Sequence, residues 1–194
     1  MTEKLPGPER LMGFSDAFFA VVITIMVLDL RAPESPQFSA LLPLWPAITS
    51  YTVSYLFVAL VWINHHHLMH YAHTATLRLV WVNFAHLFVV SLGPFTTRWI
   101  ADTHLAGAPV SFYAGVFMLV NLTYFWLIVE ILSGNTTQDV HTSTQRRMRI
   151  RSLSTLALFG VAALLGSLFP IIGMFLICAC LCFYIRPQAP AIPW

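Results

Sequence analysis

The chain has 194 residues, of which 58% are hydrophobic and 9% charged, and its formal net charge is +2. A soluble domain carries about 25% charged residues, so this composition excludes an ordinary soluble enzyme and describes a polytopic membrane protein. The small net charge, with no lysine cluster interleaved with aromatics, excludes a nucleic-acid partner and leaves the lipid bilayer as the surrounding medium.

The pattern predicts an all-α fold with six transmembrane helices, over residues 11–30, 47–68, 79–100, 109–132, 153–169 and 171–185, in one domain spanning 1–194. The first segment is full membrane length and lacks a small-residue cleavage pattern, so it is expected to stay as a helix rather than leave as a signal peptide. It ends at RAPESP, where Pro33 and Pro36 stop helix continuation. The second follows Pro43 and Pro46 and runs into a histidine cluster near Leu68. The third carries Asn83, His86 and Pro94, and the fourth ends near Glu130. The polar stretch SGNTTQDVHTSTQRRMRIRS then forms the one long connection, with its RRMRIR run at the mouth of the fifth helix, facing anionic lipid. The fifth stops at Pro170, and the sixth is short against the usual ~20 residues, so these two form a tight hairpin.

Six spans put both termini on one side. Lys4, Arg10, Arg78, Arg146, Arg147, Arg149, Arg151 and Arg186 fall there, against Arg31 and Arg98 opposite, which predicts cytoplasmic termini in a cell membrane.

Arg10 and Asp16 stand near the start of the first apolar segment. A carboxylate at membrane depth costs several kcal/mol unless paired or hydrated, so Asp16 requires a partner, and Arg10 or a histidine of another helix can supply it. At about 100° per residue, Val21, Thr24, Ile25 and Leu28 share a stripe roughly opposite Asp16. Periodicity alone does not decide whether this stripe packs against a helix or lines a pore. At the end of the second helix, His65 reaches the depth of Asp16, which suggests a network of Arg10, Asp16, Trp62 and His65. His66, His70 and His73 follow an i, i+4, i+7 spacing, but without a Cys or carboxylate ligand nearby they read as a hydrated helix end, and no metal is expected. Haem ligation by His65 or His66 with His86 is the weaker reading beside a structural, hydrogen-bonded role. Cys178, Cys180 and Cys182 alternate along the sixth helix and read as small apolar packing residues.

The run Arg10-x-x-x-Phe14-Ser15-Asp16, continued as AFFAVVITIMVL, resembles the first helix of the transmembrane protein 175 family of potassium-permeable channels. WINHHHL from Trp62 and LVWVNFAHLFVVSLGPF from Leu79 are similar to the second and third helices of its bacterial members. The resemblance covers about the first hundred residues; the remaining spans match by number and hydropathy only. It implies one six-helix repeat per chain and a homotetramer whose four first helices line a central pore. It also implies a packing network behind the pore, placed by position at Arg10, Phe14, Ser15, Asp16, Trp62 and His65. The constriction implied is apolar, at Val21, Ile25 and Leu28 with Thr24 between, and one methylene smaller than usual at Val21. The narrowest point is expected at Val21 or Ile25.

The chain has no T-V-G-Y-G loop, so carbonyl replacement of the potassium hydration shell is excluded. The expected function is passive leak of K⁺ and other monovalent cations, with modest preference over Na⁺ and no cofactor beyond the permeant ion. Asp29 and Glu34 would concentrate cations at the outer end. The alternative is a secondary or proton-coupled transporter using Asp16, His65 and Glu130, although no inverted repeat with broken helices is visible. An enzyme is not expected: GFSDA lacks the second glycine and the strand-turn-helix setting of a nucleophile elbow.

Overall fold

In the computed structural model, residues 7–134 and 142–184 are described, and all their regular structure is helical. Helix α1 spans Pro8–Val27, and a 3-10 segment over Phe38–Leu44 leads into α2, Trp45–Met69. Helices α3 (Leu77–Val90) and α4 (Gly93–Asp102) follow, then α5 (Gly107–Gly134), α6 (Thr142–Leu168) and α7 (Pro170–Tyr184). Five spans are long and apolar enough to cross a membrane, and the apolar stretch Pro170–Leu181 is a shorter sixth. The chain is an all-α, polytopic membrane protein.

Helix boundaries differ from the sequence expectation for local reasons. Helix α1 begins earlier, with Pro8 in its first turn, because proline's fixed φ suits that position and its missing N–H costs nothing there. It also ends at Val27: the amides of Leu28, Asp29 and Leu30 bond to carbonyls three residues back, tightening the last turn. The predicted third helix is two helices, since Pro94 has no N–H to give Val90 and its ring crowds that carbonyl. In the first turn of α4 the Thr96 and Thr97 hydroxyls bond back to the Gly93 carbonyl, at 2.8 and 2.7 Å. Thr97 also bonds Ser54 of α2, which in turn bonds Tyr113 of α5, so the break is pinned by two neighbouring helices.

The RRMRIR run is not loop. It lies on α6, which starts at Thr142, with Met148 buried and Arg146, Arg147 and Arg149 exposed. Helix α6 runs between α5 and α7, and Asn121 and Ser152 exchange two hydrogen bonds across the α5–α6 contact, at 2.8 and 3.1 Å. Cys180 packs in the core, consistent with a small apolar role; the Cys182 side chain lies outside the described residues.

The main core joins α1, α2, α5, α6 and α7 around Phe57 stacked on Phe117 at 3.6 Å, with Phe159 edge-on to both. Small residues set the α6–α7 hairpin. A Cβ added at Gly173 would lie 2.5 Å from the Gly166 Cα and 3.2 Å from the Ala162 carbonyl oxygen. Backbone cannot yield as a side-chain tip does, so Gly173→Ala must push the helices apart. We expect a loss of about 1–3 kcal/mol, read as a lower thermal midpoint in detergent. Gly160→Ala, whose Cβ meets only Met118 Sδ at 3.6 Å, is the control expected to change little.

Candidate functional site

One face of α1 is held by a polar ladder built from three helices. Its buried residues are Leu11, Ser15, Phe19, Val22 and Met26, spaced three and four apart along one stripe. Ser15 donates to the Leu11 carbonyl at 2.9 Å, which satisfies a hydroxyl within its own helix. It accepts from Asn83 Nδ2 of α3 at 2.9 Å, and the Asn83 Oδ1 accepts from His65 Nε2 of α2 at 2.7 Å. The amide therefore uses both ends and fixes the His65 proton on Nε2. The His65 ring stacks on His86 with centroids 5.6 Å apart and 3° between planes, and Phe19 packs against both. His86 Nδ1 meets Thr123 Oγ1 of α5 at 2.9 Å, and because that hydroxyl gives its proton to a backbone carbonyl, the imidazole is the donor.

Asp16 belongs to a separate cluster. Trp62 Nε1 donates to its Oδ1 at 2.8 Å, and His66 Nδ1 lies 3.3 Å from Oδ2. The expected network is corrected in two members: His65 bonds Asn83 instead, and exposed Arg10 forms no ion pair or hydrogen bond with Asp16. The reason is rotational. Residues 65 and 66 point about 100° apart on a helix, so His66 turns to Asp16 while His65 turns to Asn83 and Phe19. Phe14 is half exposed and packs its ring against Phe84, centroids 5.4 Å apart.

The histidine spacing is corrected as well. Helix α2 ends at Met69, so His73 lies in the following loop and shares no helical face with His66 and His70. His67 turns inward, its Nδ1 on the Ile63 carbonyl at 2.8 Å. Haem ligation finds no support, since the His65 and His86 rings lie parallel with centroids 5.6 Å apart in a packed core, and one nitrogen of each is engaged by Asn83 and Thr123.

At the other end, Asp29 is not an isolated charge. Arg98 of α4 reaches its Oδ1 at 3.3 Å, and the same guanidinium lies 3.4 Å from Asp102. Glu34 is exposed. Glu130 pairs with Arg78 at 2.8 Å across α3 and α5. The relay Asp16, His65 and Glu130 is therefore not assembled: each engages different partners.

The opposite side of α1 is bare in the single chain. Val21, Ile25 and Leu28 are 54, 46 and 77% exposed, and Thr24, also exposed, turns its hydroxyl back onto the Val21 carbonyl at 2.9 Å. The helix thus presents aliphatic groups with their one polar neighbour internally satisfied. Leu28 caps the helix and Asp29 lies just past its end.

Asn83 is the site residue that the sequence reading did not single out. Its signal was present: an Asn and a His three apart inside an apolar, membrane-length segment call for a buried polar contact.

Residues 10–94, which contain α1 through the α3–α4 break, match the family described as the endosomal/lysosomal potassium channel TMEM175. A potassium channel of Chryseobacterium sp. (strain P1-3) is 35% identical over 63% of this chain and 64% of its own length. Potassium channels of Streptomyces collinus and Chamaesiphon minutus are 30 and 28% identical, over 60 and 59% of this chain and 62 and 61% of theirs. The matched stretch thus spans less than two thirds of the length of these curated relatives. The fold extends further: the crystal structure of a lysosomal potassium-selective channel TMEM175 homolog from Chamaesiphon minutus superposes with TM-score 0.83 at 22% identity, covering 91% of this chain and 95% of that one. The segment that carries the Ser15–Asn83–His65 and Asp16–Trp62 contacts is thus similar in sequence to the TMEM175 family, and the chain as a whole shares the fold of the Chamaesiphon minutus homolog.

Proposed function

We propose that this chain is one subunit of a passive, potassium-permeable cation channel, and not an enzyme. In this reading it works as a homotetramer in a cell membrane with cytoplasmic termini. Four α1 helices surround the ion path, with Val21, Ile25 and Leu28 as apolar rings and Thr24 as the polar ring between them. The observation that carries the reading is the division of α1: a hydrogen-bonded, packed face toward its own subunit and an uncovered aliphatic face on the other side. An isolated membrane helix with a bare stripe of this kind would be unremarkable, but here the neighbouring face is fixed to α2 and α3 by buried polar bonds, so the bare face is held in a set direction.

The mechanism follows from aliphatic chemistry. A narrow ring of valine and isoleucine offers no ligands to an ion and does not retain continuous water; slight widening lets it wet and conduct. Potassium gives up its water more readily than sodium, which yields modest preference without a carbonyl filter. Permeation is downhill and uncoupled.

Arg98 sets the charge at the outer end, since it neutralises Asp29 beside Leu28. Arg98→Gln is expected to free that carboxylate and raise K⁺ flux at low ionic strength, with the difference vanishing in high salt. Equal flux at both ionic strengths would remove Asp29 from the ion path.

The reading is tested in liposomes containing the purified protein. Expected is non-saturating K⁺ flux, linear in driving force and faster than Na⁺ flux. Absence of flux from a verified tetramer overturns it, and saturable flux coupled to a second solute supports a carrier instead.

A further inference from the structure

His66 and His70 stand one turn apart where α2 ends, and their Nε2 atoms approach to 3.2 Å. That separation has a chemical meaning. Two imidazole nitrogens bound at about 2.0–2.1 Å to one tetrahedral metal ion lie about 3.3–3.4 Å from each other. The pair is therefore already set at the bite of a divalent transition metal, with no rearrangement of the helix.

The surroundings favour the same tautomer that a metal needs. His66 Nδ1 points at Asp16, 3.3 Å from Oδ2, so the proton sits on Nδ1 and the Nε2 lone pair faces His70. A carboxylate behind the non-ligating nitrogen is the usual support of a metal-bound histidine, since it orients the ring and raises its basicity. His70 is exposed and His66 is partly so, which leaves the site open to solvent ions. Asp16 itself is fixed by Trp62 on its other side, at 2.8 Å.

We propose that His66 and His70 form a two-histidine site for a borderline-soft divalent metal such as Zn²⁺, with Asp16 as the positioning carboxylate. Among the described residues no third His, Cys, Asp or Glu joins the group, so water fills the remaining positions and the bound ion stays exchangeable. On binding, the metal takes both Nε2 lone pairs, and the proton that His70 carried on Nε2 is relocated to its Nδ1 by exchange with solvent, so both imidazoles stay neutral. Occupancy also ties the end of α2 to α1 through Asp16. The proposal does not rest on the channel reading.

The test is calorimetric titration of the detergent-purified protein, carrying no polyhistidine tag, with Zn²⁺. Expected are one high-affinity ion per chain and a rise in thermal midpoint with zinc concentration. His70→Ala, at an exposed helix end, should weaken binding at least tenfold and abolish the rise. Asp16→Asn should weaken it about tenfold with the ratio of one ion kept, and His73→Ala should leave binding unchanged. Unaltered affinity in His70→Ala overturns the site. Unaltered affinity in Asp16→Asn overturns the positioning role, and a loss in His73→Ala equal to that in His70→Ala overturns the two-histidine assignment.

Discussion

Val21→Asn is expected to raise K⁺ flux through reconstituted protein by about tenfold and to erode the preference for K⁺ over Na⁺. Val21 sits on the uncovered face of α1, more than half exposed, while its neighbour Val22 is buried in the subunit core. A side-chain amide at position 21 therefore adds hydrogen-bonding groups to the ring without disturbing the packed face. Water that an aliphatic ring expels would be retained, and a drop of about 1.4 kcal/mol in the barrier is a tenfold gain in rate. The matched substitution Val22→Asn should act differently, lowering stability because it buries an amide among apolar groups with no assigned partner. Equal flux in native protein and Val21→Asn, with both tetrameric, would move the constriction elsewhere.

Asn83→Ala is expected to be the most damaging single change to the scaffold, at about 2–3 kcal/mol. Asn83 is fully buried and is the only described group joining Ser15 of α1 to His65 of α2. Truncation leaves the His65 Nε2–H without its acceptor in a dry core and opens a small cavity beside it. Ser15→Ala should cost less, about 1 kcal/mol, because Asn83 keeps its bond to His65 and the Ser15 hydroxyl otherwise serves only its own helix. Thermal unfolding of the detergent-solubilised protein checks the order. A larger loss in Ser15→Ala than in Asn83→Ala would mean that the ladder is anchored on α1 rather than on α3.

The same residues mark where sequence reading succeeds and where it stops. Apolar run length and proline punctuation located each span, because a membrane imposes a length and a hydropathy that local sequence must meet. Pro94 was visible, yet a proline inside an apolar run kinks or breaks a helix depending on who satisfies the freed carbonyls. Here the chain breaks, and Thr97 pins the new helix to Ser54 of α2. The basic run before Leu153 was read as loop because it is polar, but helix formation tolerates arginine well, and Met148 and Ser152 give that turn a buried side. The polar partners were legible by depth and not by direction. Sequence spacing fixes each side chain's angle about its own helix, whereas the rotation of one helix against another is set by packing. Hence Asp16 meets His66 rather than His65, and the loop after Met69 takes His73 away from both. Asp29 reads from sequence as a residue that concentrates cations, and its pairing with Arg98 is not visible there because Arg98 lies far along the chain and meets it through the α1–α4 contact.

The central claim is that the uncovered face of α1 lines the ion path. Thiol accessibility tests it most directly, in protein whose Cys178, Cys180 and Cys182 are replaced by alanine. A water-soluble thiol reagent should stop K⁺ flux through Thr24→Cys, on the bare face, and leave flux through Val22→Cys, on the packed face, unchanged. Block at Val22→Cys with Thr24→Cys unaffected would contradict the account.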